Sequence, residues 1–217
     1  RPAAPDFALM WDNAYCLHEV YGEFVPFRDM LTLCREAGNA DMVYEFASTS
    51  KITFPGAGVA VMAASEANLK YLSGLLGAQT ISYDKVNQLR HVRFLQDKAH
   101  VLELMQRHAA ILRPKFEAVL AALRGIAPLN IASWTEPKGG YFVSCDAMPG
   151  TAKRTLALCA GAGVTMTPAG ATYPGGNDPA DSNIRVAPSL PPVEELEQAM
   201  AVFCCCMKLA ALENSKK

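Results

Sequence analysis

Three short stretches hold residue types that could act on a small molecule. The first is "ASTSKITFPGAGVA" (47 to 60), where one lysine, Lys51, stands between hydroxyl side chains and a Pro-Gly turn, with apolar residues behind it. Partial desolvation there would favour the neutral, nucleophilic amine, and such a lysine can form a Schiff base with a carbonyl. The alternative is an ordinary solvated lysine. The second stretch is "DFALMWDNAY" (6 to 15), in which Asp12 and Tyr15 follow an apolar run. If that run is a buried strand, both project from the carboxyl edge of a sheet, where open α/β sheets bind ligands. Otherwise Asp12 caps a turn and Tyr15 is a half-buried packing residue. The third is "NIRVA" (183 to 187), where Arg185 lies among apolar neighbours. A buried guanidinium needs an anion, and its planar fork suits either a bound carboxylate or an internal Asp or Glu.

The elements that must position these residues can be read from periodicity. Phe7 to Trp11 reads as a short buried strand, Pro26 to Ala37 as a helix closed by Gly38 and Asn39, and 42 to 48 as a second strand. The stretch 58 to 65 is a third strand, continuous enough in apolar residues to be covered on both faces. Helix follows from Glu66 to Leu76. A long heptad-like series then runs from Lys85 to Gly125, with Pro114 inside it. Proline removes a backbone donor and clashes with the preceding turn, so a kink or break is expected there, with a domain boundary between 113 and 114. Beyond it, strands around 139 to 146 and 183 to 189 and helices near 151 to 162 and 192 to 212 describe a small α+β domain. Three glycines and three prolines between Pro168 and Pro179 mark a constrained loop.

Composition narrows the partners. Hydrophobic residues make up 51% and charged residues 19% of 217, the make-up of a globular protein with a sizeable core. The net charge of −1, from 20 basic and 21 acidic residues, supplies no basic field for nucleic acid or an anionic membrane. Seven cysteines show neither C-x-x-C pairs nor stapling spacing, which fits a reducing cytoplasm. Cys204 to Cys206 would point about 100° apart on a helix and cannot share one metal. His18, His91, His100 and His108 lack metal-ligand spacing and read as surface or packing residues; no metal site is expected. Ala201 to Leu212 is too short to span a membrane. The chain opens on Arg1 and enters an apolar segment at once, which reads as the interior of a longer protein.

Taken in order, Asp-x-x-Tyr after a strand, Ser-x-Ser-Lys, Gly-Gly-Tyr-Phe, a Pro-x-Gly loop and Asn-x-Arg resemble the class I aminotransferases, fold type I enzymes that use pyridoxal 5'-phosphate (PLP). "DFALMWDNAYCLHEVY" and "STSKITFPGAGVA" look most like a bacterial aspartate aminotransferase subgroup related to MocR-type proteins. The resemblance implies an α/β fold. Residues 1–113 would be the carboxyl-terminal part of a PLP-binding large domain with a mixed, mostly parallel sheet, and 114–217 a small α+β domain. It also implies roles. Lys51 would form the Schiff base and then move the substrate proton. Asp12 would face the pyridine nitrogen, Tyr15 the ring's phenolic oxygen, and Ser48, supported by Ser50, the phosphate. Arg185 would clamp the substrate α-carboxylate, with Tyr141 of "GGYF" a further substrate contact.

There are two departures from the family pattern. Gly58 stands where most members place a phosphate-binding arginine, so the phosphate must rely on backbone N–H groups, hydroxyls or a residue from elsewhere. The upstream half of the family, with its glycine-rich loop and much of the dimer contact, is absent, which makes these residues the expected carboxyl-terminal half of a cytoplasmic homodimer. The activity implied is transfer of an amino group from an L-amino acid, with aspartate the first candidate, to 2-oxoglutarate by a ping-pong cycle. Alternatives are a PLP-dependent lyase, an aromatic or aliphatic transaminase, or a PLP-binding regulator without turnover.

Overall fold

In the computed structural model, which describes residues 2–216, the chain divides into two compact units. The first comprises residues 1–18 and 24–105, and the second 19–23 and 106–217.

The first unit is built on a three-stranded mixed sheet. Strand β1 (Leu9–Asp12) runs parallel to β2 (Val43–Ser48), with Leu9 opposite Val43 and Asp12 opposite Phe46. A parallel pair needs a crossover, and α1 (Met30–Glu36) provides it. The helix starts later than Pro26 because Asp29 caps it, its carboxylate accepting from the Thr32 N–H. Gly38, at φ +74°, supplies the left-handed stop, whereas Asn39 stays at negative φ. Strand β2 then turns back antiparallel onto β3 (Ala60–Ala64), with Ser48 opposite Ala60. The strand read at 58 to 65 was expected to be covered on both faces, and such cover would extend over its neighbours. Within this chain the cover is incomplete: Met10 is 73% and Val61 62% exposed.

Helix α2 (Glu66–Gln79) is capped by Ser65, and α3 (Lys85–Leu95) by Asp84, whose carboxylate accepts from the Asn87 N–H. The long helical series breaks at Gln96, where φ is +54°, and not at the proline. Asp97 restarts it by accepting from the His100 N–H, and α4 (Lys98–Arg124) runs on through Pro114. The proline deprives the Ala110 carbonyl of its donor, at a cost of about 3 kcal/mol in a helix interior. Downstream, Phe116, Val119, Leu120 and Leu123 are all buried in one stripe. At roughly 1.5–3 kcal/mol per buried apolar side chain, that stripe outweighs the lost bond.

The division between the two compact units falls within α4, between 105 and 106. The insertion of Glu19–Glu23 into the second unit has a visible cause. The Val20 and Tyr21 N–H groups donate to the Lys138 carbonyl at 2.7 and 3.1 Å, and the Arg113 guanidinium donates to the Val20 carbonyl.

In the second unit, β4 (Ala132–Trp134), β5 (Val143–Ala147) and β6 (Asn183–Val186) form an antiparallel sheet in that order. Strand β4 has no counterpart in the sequence reading, being only three residues long. Helices α5 (Ala152–Gly161) and α6 (Val193–Asn214) pack with α4 over a core that includes Phe116, Val143, Cys145, Ile184, Phe203 and Met207. Burial pushes the thiols of Cys145 and Cys159 up to about 12. Cys204 and Cys206 are buried and Cys205 is exposed, so no two neighbours in this run point the same way. Among the described residues, no helix is long and apolar enough to cross a membrane.

Candidate active site

Because β1 and β2 are parallel neighbours, their carboxyl ends lie at one edge of the sheet. Asp12 is the last residue of β1, Ser48 the last of β2, and Lys51 follows three residues on. The Asp12 carboxylate does cap a turn: Oδ1 accepts from the Ala14 N–H at 2.9 Å. That bond uses one oxygen of an exposed side chain, so the turn and a ligand role coexist. Tyr15 sets its ring edge-on to His18, with centroids 5.2 Å apart. His18 is 5% exposed, and its Nε2 lies 3.2 Å from the Lys51 carbonyl. A carbonyl only accepts, so Nε2 donates. The segment bearing Asp12 and Tyr15 is thereby bonded to the backbone of Lys51.

The loop around Lys51 is closed by hydroxyl groups. Ser48 Oγ donates to Ser50 Oγ at 2.9 Å and accepts from the Ser50 N–H at 3.2 Å. Because Ser50 is the acceptor in this pair, its own hydroxyl proton can be directed to an anion. Gly58 lies against this pair: a Cβ there would stand 2.7 Å from Ser50 Oγ and 3.0 Å from Ser50 N. A side chain at 58 would press on Ser50 and force it to shift, so this glycine and the serine pair are packed as a unit. The donor set of two serines beside an amine and a neighbouring carboxylate suits a phosphorylated pyridine aldehyde. The enclosure expected around Lys51 is not found within this chain, where its side chain is exposed. The apolar residues after the turn run back along β3 with the sheet and leave the amine at its edge.

Arg185 lies on β6 opposite Ser144 of β5, in the second unit. Its guanidinium sits 4.6 Å from the centroid of the Phe142 ring. Among the described residues it forms no ion pair, and its Nε is buried without a hydrogen-bond partner. The internal salt bridge is therefore absent, and the orphaned Nε marks a place for an acceptor. A cavity of about 200 Å³ adjoins it, lined also by Thr165, Thr167 and Phe203. Tyr141 is half-buried one residue before Phe142, at the entry to β5. It is Phe142, which the sequence did not single out, whose ring carries the guanidinium.

Strand β6 is held in register by a polar knot. Asn183 donates to Ser144 Oγ and to Asp146 Oδ1 and accepts from the Thr172 hydroxyl at 2.6 Å. The Asp178 carboxylate accepts from the N–H groups of Ala180, Ser182 and Asn183, which hold it below the usual carboxylate range. The loop thus anchored was legible as constrained from its prolines and glycines. The residues doing the anchoring were not, since each partner is distant in sequence. The same holds for His18 and His91. Both are buried, as a packing residue would be, yet both bond the loop that carries Lys51.

A family model described as aspartate amino-transferase matches residues 1–217. A protein of Mycolicibacterium smegmatis is 49% identical over 212 residues, covering 97% of this chain and 50% of that relative. The aspartate aminotransferase of Corynebacterium glutamicum is 47% identical over 213 residues, 98% of this chain and 49% of its own. The chain thus spans about half the length of the curated relatives it matches. The crystal structure of an aspartate transaminase from Corynebacterium glutamicum superposes with a TM-score of 0.96 at 47% identity, over 99% of this chain and 51% of that one. A more distant α-aminoadipate aminotransferase of Thermus thermophilus shares the fold, with a TM-score of 0.76 at 24% identity over 94% of this chain and 51% of that one. With a match along its whole length, and with lysine, carboxylate and serines gathered at one sheet edge, the chain belongs to the aspartate aminotransferase family.

Proposed function

We propose that this chain carries the cofactor lysine and the substrate arginine of a PLP-dependent aminotransferase. Its amino donor is an L-amino acid, aspartate first, and its acceptor is 2-oxoglutarate. The observation that carries the reading is the glycine-gated loop of Ser48, Ser50 and Lys51 beside the carboxylate of Asp12 at the carboxyl edge of the sheet. Family membership supports the reaction class, and the aspartate aminotransferase relative supports the donor.

PLP, when bound, supplies an electron sink for the pair left at the substrate Cα. The chain's residues do the rest. Ser48 and Ser50 would hold the phosphate together, Ser50 still having its hydroxyl proton to offer while it accepts from Ser48. Asp12 keeps a proton on the pyridine nitrogen through the oxygen its turn does not use. Tyr15 donates to the ring's phenolic oxygen. Lys51 would hold the cofactor and then carry the substrate Cα proton, so one amine would be nucleophile and acid/base in turn. Arg185 binds the α-carboxylate. Stacked on Phe142, it loses little further freedom when the substrate arrives. Tyr141, at the entry to β5, would be a further substrate contact. The protein would work in the cytoplasm as a homodimer, with the remaining half of a family-length chain.

The test uses the full-length protein with PLP. Sodium borohydride should attach the cofactor to the peptide containing Lys51, and aspartate should convert the bound cofactor to its amine form, seen as a loss of visible absorbance. Attachment to another peptide would remove the assignment of Lys51. Attachment at Lys51 with no conversion by any amino acid would replace the transaminase by a binding protein.

A further inference from the structure

Between Thr49 and Val59 the Lys51 loop has no strand or helix to fix it, and one helix grips it at two points. Thr49 and Val59 close its base, the Thr49 N–H donating to the Val59 carbonyl and the Val59 N–H to Thr49 Oγ1, both at 2.9 Å. Inside the loop, Thr53 Oγ1 lies 2.9 Å from His91 Nε2 and 3.1 Å from the Thr49 carbonyl. That carbonyl already accepts from the N–H groups of Ile52 and Thr53, at 2.9 and 2.8 Å. The Thr53 hydroxyl donates to this carbonyl and stands in hydrogen-bond contact with the histidine ring, so it ties helix and loop together. His91 Nδ1 is 2.9 Å from the Asn87 carbonyl, which can only accept, so Nδ1 carries the ring N–H. The imidazole is thus bonded at both nitrogens, and it is 8% exposed. One turn earlier on the same face of α3, Asn87 Nδ2 donates to the Ala57 carbonyl at 2.9 Å. The two grips lie on either side of the Pro55-Gly56 turn.

We propose that His91 and Asn87 of α3 are positioning residues for Lys51, His91 acting through the Thr53 hydroxyl and Asn87 through the Ala57 carbonyl, so that helix and loop hold the amine in one place. The inference rests on the proposed role of Lys51. An amine that must both hold a cofactor and carry a proton gains from a fixed base, because a misplacement of about 1 Å can cost up to a hundredfold in rate.

The test compares Thr53→Val, which keeps the shape and deletes the hydroxyl, with Thr53→Ser, which restores it, and adds Asn87→Ala, which releases the second grip. In full-length protein without cofactor, amide exchange of the peptide spanning 49 to 59 should quicken about fivefold in Thr53→Val and Asn87→Ala and stay at the wild-type rate in Thr53→Ser. In the PLP-loaded protein, Thr53→Val should lower kcat about tenfold while leaving KM within about twofold, with borohydride still attaching the cofactor at Lys51. Wild-type exchange in both Thr53→Val and Asn87→Ala, or an unchanged kcat with quickened exchange, would overturn the proposal. So would equal loss in Thr53→Val and Thr53→Ser. Should Thr53→Val fail to fold, Asn87→Ala decides by the same two readouts. Failure of the wild type to accept cofactor at Lys51 is a separate result, needing no variant, and it would overturn the proposed function along with any positioning role.

Discussion

Gly58→Ala tests the phosphate cradle most directly. The added Cβ would lie 2.7 Å from Ser50 Oγ, 3.0 Å from Ser50 N and 3.1 Å from Ser50 Cα. Ordinary carbon contacts fall at about 3.5–4.0 Å, so the serine must move by about half an ångström. Rotating the hydroxyl relieves only the first contact, because the other two are to backbone. Gly58 is not among the glycines with positive φ, so alanine should also gain about 0.4–1 kcal/mol by restricting the unfolded chain. Overpacking costs about 1–3 kcal/mol, which leaves a net loss on the order of 1 kcal/mol. The larger effect should be on the cofactor. Moving Ser50 breaks its pairing with Ser48 and misdirects one hydrogen bond to a charged group, worth about 1.5–3 kcal/mol, or roughly a 10- to 150-fold weaker PLP Kd. Fluorescence titration of the full-length apoprotein with PLP would measure this, and thermal melts the stability. In the Ser50→Ala/Gly58→Ala double variant the shortest contact is gone, so the stability penalty of the alanine at 58 should shrink. A Gly58→Ala protein that binds PLP within twofold of wild type and melts no lower would refute the cradle.

Three further outcomes follow from the same geometry. Lys51→Ala should yield no borohydride-trapped cofactor and reduce kcat by orders of magnitude, checked by peptide mapping and single-turnover kinetics. Arg185→Lys should raise KM about tenfold or more, because an ammonium cannot match a carboxylate with two parallel bonds, yet change the melting temperature little, since the buried Nε has no protein partner to lose. Asp178→Ala should destabilise the second unit at neutral pH. The folded-state pKa of Asp178 is depressed by three backbone donors, so its contribution is present above about pH 4 and is lost as pH falls through the lowered value. The melting-temperature gap between Asp178→Ala and wild type should therefore close in acid, and a gap independent of pH would contradict the assignment.

Much of the frame was legible from local signals. The apolar run ending at Asp12, the run ending at Ser48 and the turn at Pro55-Gly56 are periodicity and punctuation, and they put Asp12 and Lys51 at one edge before any coordinates are considered. The proline in α4 misled, because its cost is local and certain while the repayment, burial of Phe116, Val119 and Leu123, depends on a core assembled from residues as distant as Val20 and Met207. Gln96 offered no warning of the real break, since glutamine has no preference for positive φ.

By itself the sequence determined which residues could do chemistry and on which strand ends they stand: a lysine after β2, a carboxylate after β1, an arginine within an apolar strand. Only the tertiary structure decided what each of them touches. It set Gly58 against Ser50, bonded His18 and His91 to the Lys51 loop, put Phe142 beneath Arg185, and left the guanidinium without an internal acid among the described residues. The division has one physical cause. Periodicity and turn chemistry are written in neighbouring residues, whereas a hydrogen-bond partner 33 or 38 positions away is chosen by the folded chain as a whole.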